Sequence, residues 1–168
     1  ANSKRSSEPF SAAAQALMGQ VNRTVRQEGK DLLYLLDSSS ISLKGPGFDQ
    51  WTHDGQTRNT QGIKLHMLYA KSTEAPVFSQ FSPANVNDIT VGRELSIEPG
   101  AVYVFDKGYC DFNWWSEIDH QGALFVTRFK KNTALKVEQS LPVAADSVVL
   151  SDELVRFSNK HPGARRRN

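Results

Sequence analysis

Two aspartates that end short apolar runs have the clearest capacity for chemistry in this sequence. Asp37 follows Leu-Tyr-Leu-Leu, and Asp106 follows Val-Tyr-Val-Phe. If the two runs are neighbouring parallel strands, their carboxyl ends meet at one edge of a sheet, about 4.8 Å apart, where ligands bind in mixed α/β sheets. Two ionised carboxylates at that distance repel each other, and a divalent cation removes the repulsion. Because carboxylate oxygens favour Mg²⁺ or Mn²⁺, the pair predicts a metal site.

A metal site of this kind suits phosphoryl transfer on nucleic acid. Two metal ions about 3.5–4 Å apart can hold the attacking and leaving oxygens of an in-line displacement. Bridging two ions normally takes a third carboxylate. An aspartate after a strand is also common for structural reasons, because aspartate favours turns and caps. Either residue alone is therefore more often structural, and it is their pairing on two similar strands that favours the metal site.

Other patterns in the sequence offer weaker chemistry. Asp37, Ser38 and His66 could form a hydrolase triad, but the Gly-x-Ser-x-Gly turn that presents such a serine is missing. Gly45-Pro46-Gly47 lacks the Gly-Lys-Ser/Thr ending of a phosphate-binding loop. His66 by itself is more often a structural histidine than a ligand.

The elements around Asp37 follow from the spacing of apolar residues. A lead-in helix is predicted from Phe10 to about Val25, ended by Gly29. A strand from Leu32 to Leu36, buried on both faces, leads to Asp37. Strands at Ile63–Ala70 and Pro76–Phe81 follow, and the three neighbours are predicted to form an antiparallel meander. Alternation along the second strand places Lys64, His66 and Leu68 on one face.

The elements around Asp106 complete the predicted sheet. Asp88 is predicted to cap a helix running to about Ile97, which acts as a crossover to the strand Ala101–Phe105. The Asp37 and Asp106 strands can therefore be parallel. A helix capped by Asp111 and a strand at Leu124–Phe129 come next. After Lys131 the sequence predicts only short strands joined by polar turns.

Composition narrows the class of protein without naming an activity. The 168 residues suffice for one domain with a core, and no apolar run approaches the roughly 20 residues of a membrane helix. The polar start predicts no signal peptide, and the single cysteine fits a reducing cytosol. The net charge is only +2, but basic residues gather in three clusters that could face phosphates. These are Arg23, Arg26 and Lys30; Arg128, Lys130 and Lys131; and Arg165, Arg166 and Arg167.

Four blocks of sequence, in order, resemble the DDE transposases of bacterial insertion sequences, most closely the insertion sequence 4 type. They are residues 36–41, 62–66, 105–109 and 125–130, and Asp106-Lys107-Gly108-Tyr109 is the most specific part of them. The resemblance implies an α/β, ribonuclease H-like fold, which is a five-stranded mixed sheet flanked by helices. It places the family's first acid at Asp37 and its second at Asp106.

The resemblance also implies cofactors and partners. The expected cofactor is Mg²⁺ or Mn²⁺, held by Asp37 and Asp106. The expected partner is DNA, both insertion-sequence ends and target, bound by a homodimer in the bacterial cytoplasm and at the nucleoid. Lys64, His66, Arg128 and Lys130 are candidates for lining the site or contacting phosphates.

The family's third acid is a glutamate in a Tyr-x2-Arg-x3-Glu-x6-Lys pattern on a later helix, which this sequence lacks. Neither Glu138 nor Glu153 lies in such a pattern. A strand-rich insertion precedes that helix in the family, so three regions are expected: a lead-in helix and polar N-terminus (1–30), part of the catalytic core (31–131) and the beginning of a truncated insertion (132–168). The chain alone is then expected to be inactive or nearly so. The alternatives are a non-catalytic DNA-binding or regulatory fragment and a ribonuclease H-like nuclease unrelated to transposition.

Overall fold

A computed structural model describes residues 6–27, 32–43 and 61–158 of the chain. They belong to two compact units, Ala1–Arg128 and Phe129–Asn168. The helix end predicted at Gly29, the loop at residues 45–55 and the basic residues Lys30 and 165–167 lie outside the described ranges. Within those ranges, no helix is long and apolar enough to cross a membrane.

The first unit is built on a five-stranded mixed sheet with the strand order β3-β2-β1-β4-β5. The strands are β1 Leu33–Ser42, β2 Gly62–Ala70, β3 Ala75–Pro83, β4 Val102–Phe105 and β5 Leu124–Val126. β1, β2 and β3 form an antiparallel meander, while β4 pairs in parallel with both β1 and β5. The predicted meander, the parallel pair and the five-stranded mixed sheet flanked by helices are confirmed.

Among residues 6–27, 32–43 and 61–158, three helices and one 3-10 turn accompany the sheet. They are α1 Glu8–Gln27, α2 Asp88–Gly92, the turn Lys107–Tyr109 and α3 Phe112–His120. α1 lies along β3, where Gln15 Nε2 donates a hydrogen bond of 2.9 Å to the carbonyl oxygen of Ser79. Asp111 caps α3 as predicted, because its side chain accepts a hydrogen bond from the N–H of Trp114.

The prediction for α2 is wrong in two respects. The helix ends at Gly92 instead of Ile97, because Leu95 and Ile97 leave the helical path and are buried in the core. The N-cap residue is Asn87, and its side chain makes no capping hydrogen bond. The side chain of Asp88 does not cap the helix either, since Lys64 and Ser38 bind it.

One face of the sheet packs against α3 and the segments around it. Tyr34 and Leu36 of β1 point to this face and are paired with Tyr103 and Phe105 of β4. The ring of Phe105 lies 4.9 Å from that of Trp114, centroid to centroid. A cluster of aromatic rings therefore forms the core directly beneath the strand that leads to Asp106.

The opposite face of the sheet is more open. Leu35 is 38% exposed, and Leu124 and Val126 of β5 are 65% and 57% exposed. The prediction that the first strand is buried on both faces is therefore wrong, because burial alternates along β1. The predicted fifth strand is also too long, since β5 ends at Val126.

The second unit contains an antiparallel hairpin of β6 Leu135–Leu141 and β7 Asp152–Phe157. Phe129 packs edge-on against Phe157, with ring centroids 6.0 Å apart. The short strands expected after Lys131 are thus present. The two units divide between Arg128 and Phe129, and the organisation into three functional regions stays a prediction.

Candidate metal and nucleic-acid site

Asp37 and Asp106 lie side by side at the carboxyl end of the parallel strand pair. Leu36 of β1 is the partner of Phe105 of β4, and each aspartate is the next residue along its chain. Because side chains alternate along a strand, both leave the sheet on the face that carries Leu35. Asp37 is exposed and Asp106 is partly buried. The structure brings together the two residues that the sequence singled out, and their roles as metal ligands and catalytic groups stay predictions.

The carboxylate of Asp106 is oriented by its own backbone. Oδ1 accepts a hydrogen bond of 2.6 Å from the N–H of Gly108, so Asp106 is the N-cap of the 3-10 turn. Oδ2 lies 3.6 Å from Nη2 of Arg128, in an ion pair whose side chains are 45% and 75% exposed. Because both side chains are largely exposed, this ion pair contributes little to stability.

The space around Gly108 is too crowded for a side chain. A Cβ atom at position 108 would lie 2.8 Å from Oδ1 of Asp106 and 2.7 Å from Oδ2 of Asp88. Both distances are shorter than real Cβ contacts, so a side chain here would displace two carboxylates. The close approach explains the glycine in the Asp-Lys-Gly-Tyr block and places Asp88 beside the candidate site.

A cluster of polar side chains lies beneath the two aspartates. Oδ1 of Asp88 accepts hydrogen bonds from Nζ of Lys64 at 2.8 Å and from Oγ of Ser38 at 2.9 Å. Lys64 also donates to the carbonyl oxygen of Val86 at 2.7 Å. Lys64 is 9% exposed, which is rare for a lysine unless it is paired.

Asp88 is the functional candidate that the sequence reasoning missed. A usable signal was present, because alternation placed Lys64 on the same strand face as the apolar Leu68. A lysine on a buried face requires an acidic partner. The sequence could not show which of the remaining aspartates and glutamates provides it.

His66 is fully buried on the same face as Lys64. Its Nε2 lies 2.9 Å from Oγ of Ser82, and its Nδ1 lies 3.5 Å from Oη of Tyr109. Burial lowers the pKa of His66 below 6.5, opposed by the nearby charge of Asp88. Burial likewise raises the pKa of the Tyr109 phenol, with Asp88 adding to the effect. Both rings are therefore neutral around pH 7.

These contacts bear on the other predicted site residues. The hydroxyl of Ser38 bonds to Asp88 instead of His66, which leaves the hydrolase triad without support. The burial of Lys64 and His66 disfavours direct contact with DNA. Arg128 and Lys130 are exposed, and their contact with phosphates stays a prediction.

The two candidate carboxylates suit a hard divalent cation, although two protein ligands are few. Asp37 and Asp106 offer adjacent carboxylate oxygens, and Mg²⁺ is often bound by one or two carboxylates together with water and substrate phosphates. Within residues 6–27, 32–43 and 61–158, no group of three or more His, Cys, Asp or Glu side chains is placed to hold a metal ion.

The chain belongs to the transposase DDE domain family, whose model matches residues 28–167. It is 38% identical to "Putative transposase y4zB" of Sinorhizobium fredii over 164 residues, which is 95% of this chain and 45% of that protein. It is 27% identical over 110 residues to the transposase for insertion sequence element IS231E of Bacillus thuringiensis subsp. finitimus, covering 64% of this chain and 23% of that protein. The chain thus spans less than half the length of these relatives. DDE transposases generally use divalent metal ions, and the insertion sequence 4 subtype stays a prediction.

Two solved structures match part of the chain at low similarity. A piggyBac transposase synaptic complex with hairpin DNA matches with a TM-score of 0.45 and 12% identity, over 68% of this chain and 29% of that one. The Mos1 transposase paired-end complex matches with a TM-score of 0.35 and 10% identity, over 64% of this chain and 39% of that one. Similarities of this size carry no conclusion about function.

Proposed function

We propose that this chain is part of the catalytic domain of a transposase that cuts and joins DNA by metal-dependent phosphoryl transfer, with Asp37 and Asp106 as metal ligands. One observation carries the proposal. The pairing of Leu36 with Phe105 makes the two aspartates neighbours across parallel strands, at the sheet edge where ligands bind. Membership of the transposase DDE domain family supports the same chemistry.

The residues around the pair have distinct tasks in this proposal. A bound Mg²⁺ or Mn²⁺ would supply Lewis acidity and neutralise charge at the reacting phosphate. The N–H of Gly108 holds Oδ1 of Asp106, which leaves Oδ2 to face the ligand side. Arg128 lies 3.6 Å from that oxygen and is exposed, so its guanidinium can turn to a DNA phosphate. Lys130 belongs to the second unit and is proposed, independently of this site, as a phosphate contact.

We propose the activity for the full-length transposase, because the chain spans less than half the length of the curated relatives it matches. Two carboxylates neutralise less charge than a two-metal reaction requires, so the chain alone is proposed to be inactive or nearly so. In the whole transposase we place insertion-sequence ends and target DNA as partners, a homodimer as the active form, and the bacterial cytoplasm and nucleoid as its location.

Metal binding tests the proposal directly. Mn²⁺ affinity is measured by electron paramagnetic resonance for the chain and for Asp37→Asn, Asp106→Asn and Asp119→Asn. Asp119 is exposed near the end of α3, so its variant is a charge-matched control. Each of the first two changes is expected to weaken binding at least about tenfold, because a direct ligand is lost, while the control binds as the unchanged chain does. Equal affinity in all four proteins would refute the assignment of Asp37 and Asp106.

A DNA assay separates the remaining alternatives. With Mn²⁺ and a labelled DNA end, the chain is expected to nick no more than background. Robust nicking that Asp37→Ala abolishes would show a complete site that the described residues do not contain. DNA binding that weakens with salt but survives Asp37→Ala and Asp106→Ala, in a chain without Mn²⁺ affinity, would favour the non-catalytic fragment. Cleavage of an RNA–DNA hybrid would favour the unrelated nuclease.

A further inference from the structure

Asp88 connects three segments that approach the candidate site from different directions. Through Oδ1 it holds Ser38, the residue that follows Asp37 in β1, and Lys64 of β2. Through Oδ2 it lies against Gly108, whose N–H fixes Asp106. The strand end that carries Asp37 and the turn that follows Asp106 therefore have one carboxylate as a common neighbour, in addition to the side-chain hydrogen bond between Ser38 and Tyr109.

The surroundings of this carboxylate make it a fixed group. The side chains of Lys64 and Asp88 are 11% and 22% exposed, so water competes little for their ion pair. Lys64 is itself held by the carbonyl oxygen of Val86, just before α2. Asp88 is the first residue of α2. Its Oδ1 atom therefore ties the start of that helix to Lys64 of β2 and to Ser38 of β1.

We propose that Asp88 is a positioning residue for the Asp37–Asp106 site, and that it sets the spacing of the two carboxylates without binding the cation itself. The inference rests on the proposed function, because it concerns the same site. The nearly buried ammonium of Lys64 neutralises the charge of Asp88, which makes this carboxylate a weaker ligand than those of Asp37 and Asp106. Groups that orient metal ligands from behind typically affect metal affinity by about 10- to 100-fold.

A simpler explanation is that Asp88 contributes only to stability. Removing it alone would leave the charge of Lys64 unpaired in a nearly buried position, which destabilises the fold whatever happens at the site. The test must therefore remove the ion pair without leaving a buried charge. Lys64→Met together with Asp88→Asn does so, because methionine fills similar space without a charge.

The experiment compares Mn²⁺ affinity and urea unfolding for the unchanged chain, Asp88→Asn, the double variant Lys64→Met/Asp88→Asn, Asp106→Asn and the control Asp119→Asn. Asp88→Asn is expected to bind Mn²⁺ about tenfold more weakly. The double variant is expected to recover the urea midpoint but not the affinity. In ¹⁵N–¹H spectra without metal, Asp88→Asn is expected to shift the amide resonance of Gly108 while leaving that of Gly122 in place.

The outcomes separate the two proposals. Affinity that returns in the double variant together with stability would overturn the positioning role, as would full affinity in Asp88→Asn. Loss in Asp88→Asn as complete as in Asp106→Asn, with the Gly108 resonance unmoved, would also overturn it, because Asp88 would then be a ligand. If the unchanged chain binds no Mn²⁺, or Asp106→Asn binds as well as it does, the proposed function itself fails.

Discussion

Asp37 and Ser38 are neighbours in β1, but their side chains leave the sheet on opposite faces and meet opposite surroundings. Ser38 enters the polar cluster of Asp88 and Lys64, which lies above a core of aromatic rings. Asp37 faces outward on the open face with the half-exposed Leu35. The difference indicates that the covered face provides stability and orientation, whereas the open face presents the reactive groups.

The largest test of this comparison removes a side chain from the covered face. Ile118 of α3 is fully buried, whereas Leu124 on the open face is 65% exposed. Ile118→Ala is expected to lower the free energy of unfolding by about 2–5 kcal/mol, because it leaves a cavity. Leu124→Ala is expected to change it by less than about 0.5 kcal/mol. Urea denaturation measures both, and equal losses would mean that the two faces are equally covered in solution.

The next test adds a methyl group at Gly108, in the turn that follows Asp106. Gly108→Ala is expected to cost about 1–3 kcal/mol of unfolding free energy, because the new Cβ would overlap the carboxylates of Asp88 and Asp106. It should also reduce Mn²⁺ affinity. Gly19→Ala is the matched control, since a Cβ there meets nothing within 4 Å and helix α1 should gain up to about 1 kcal/mol. Equal stabilisation by both changes would show that the turn relaxes freely.

A smaller effect is expected from the cap that holds α3 over the covered face. Asp111→Ala removes the hydrogen bond to the N–H of Trp114 and the ion pair with Arg93. The loss should be about 0.5–2 kcal/mol, mostly from the cap. Asp119→Ala is the control and should change little. Thermal unfolding of both variants provides the measurement, and an unchanged midpoint in Asp111→Ala would show that the cap is dispensable.

The last test concerns His66, and its effect on the unfolding free energy is expected only below pH 7. Because burial lowers its pKa below 6.5, the folded state takes up this proton at a lower pH than the unfolded state does. Stability is therefore complete above pH 6.5 and is lost as the pH falls from there towards the folded-state pKa. His66→Gln should flatten the pH dependence of the unfolding free energy in that window. A slope unaffected by His66→Gln would contradict the neutral buried ring.

The sequence predicted the sheet well because its strands are short apolar runs bounded by turn residues. It also predicted that Asp37 and Asp106 would be neighbours, since two similar runs separated by a crossover can lie in parallel. It failed at α2, where Asp88 follows Asn87 and resembles a cap by residue type alone. Whether an aspartate binds a backbone N–H or a lysine of another strand depends on tertiary packing, which no local pattern encodes.

The same limit applies to Lys64 and His66. Their alternation with Leu68 was read correctly as one strand face, but their charge and polarity suggested a surface for DNA. The structure buries both, because Asp88 and Ser82 satisfy their polar atoms. Periodicity gives the direction of a side chain, and only the partners from distant segments decide whether that direction leads to water.

Both candidate ligands emerge from backbone that is bonded on two sides. Residues 34–36 of β1 pair with β2 and with β4 at once, and residues 102–104 of β4 pair with β1 and β5. Amide hydrogens in such doubly flanked segments exchange with solvent mainly when the whole unit opens. Fraying at the margins of the sheet therefore leaves the separation of Asp37 and Asp106 intact, and their geometry should persist for as long as the unit remains folded.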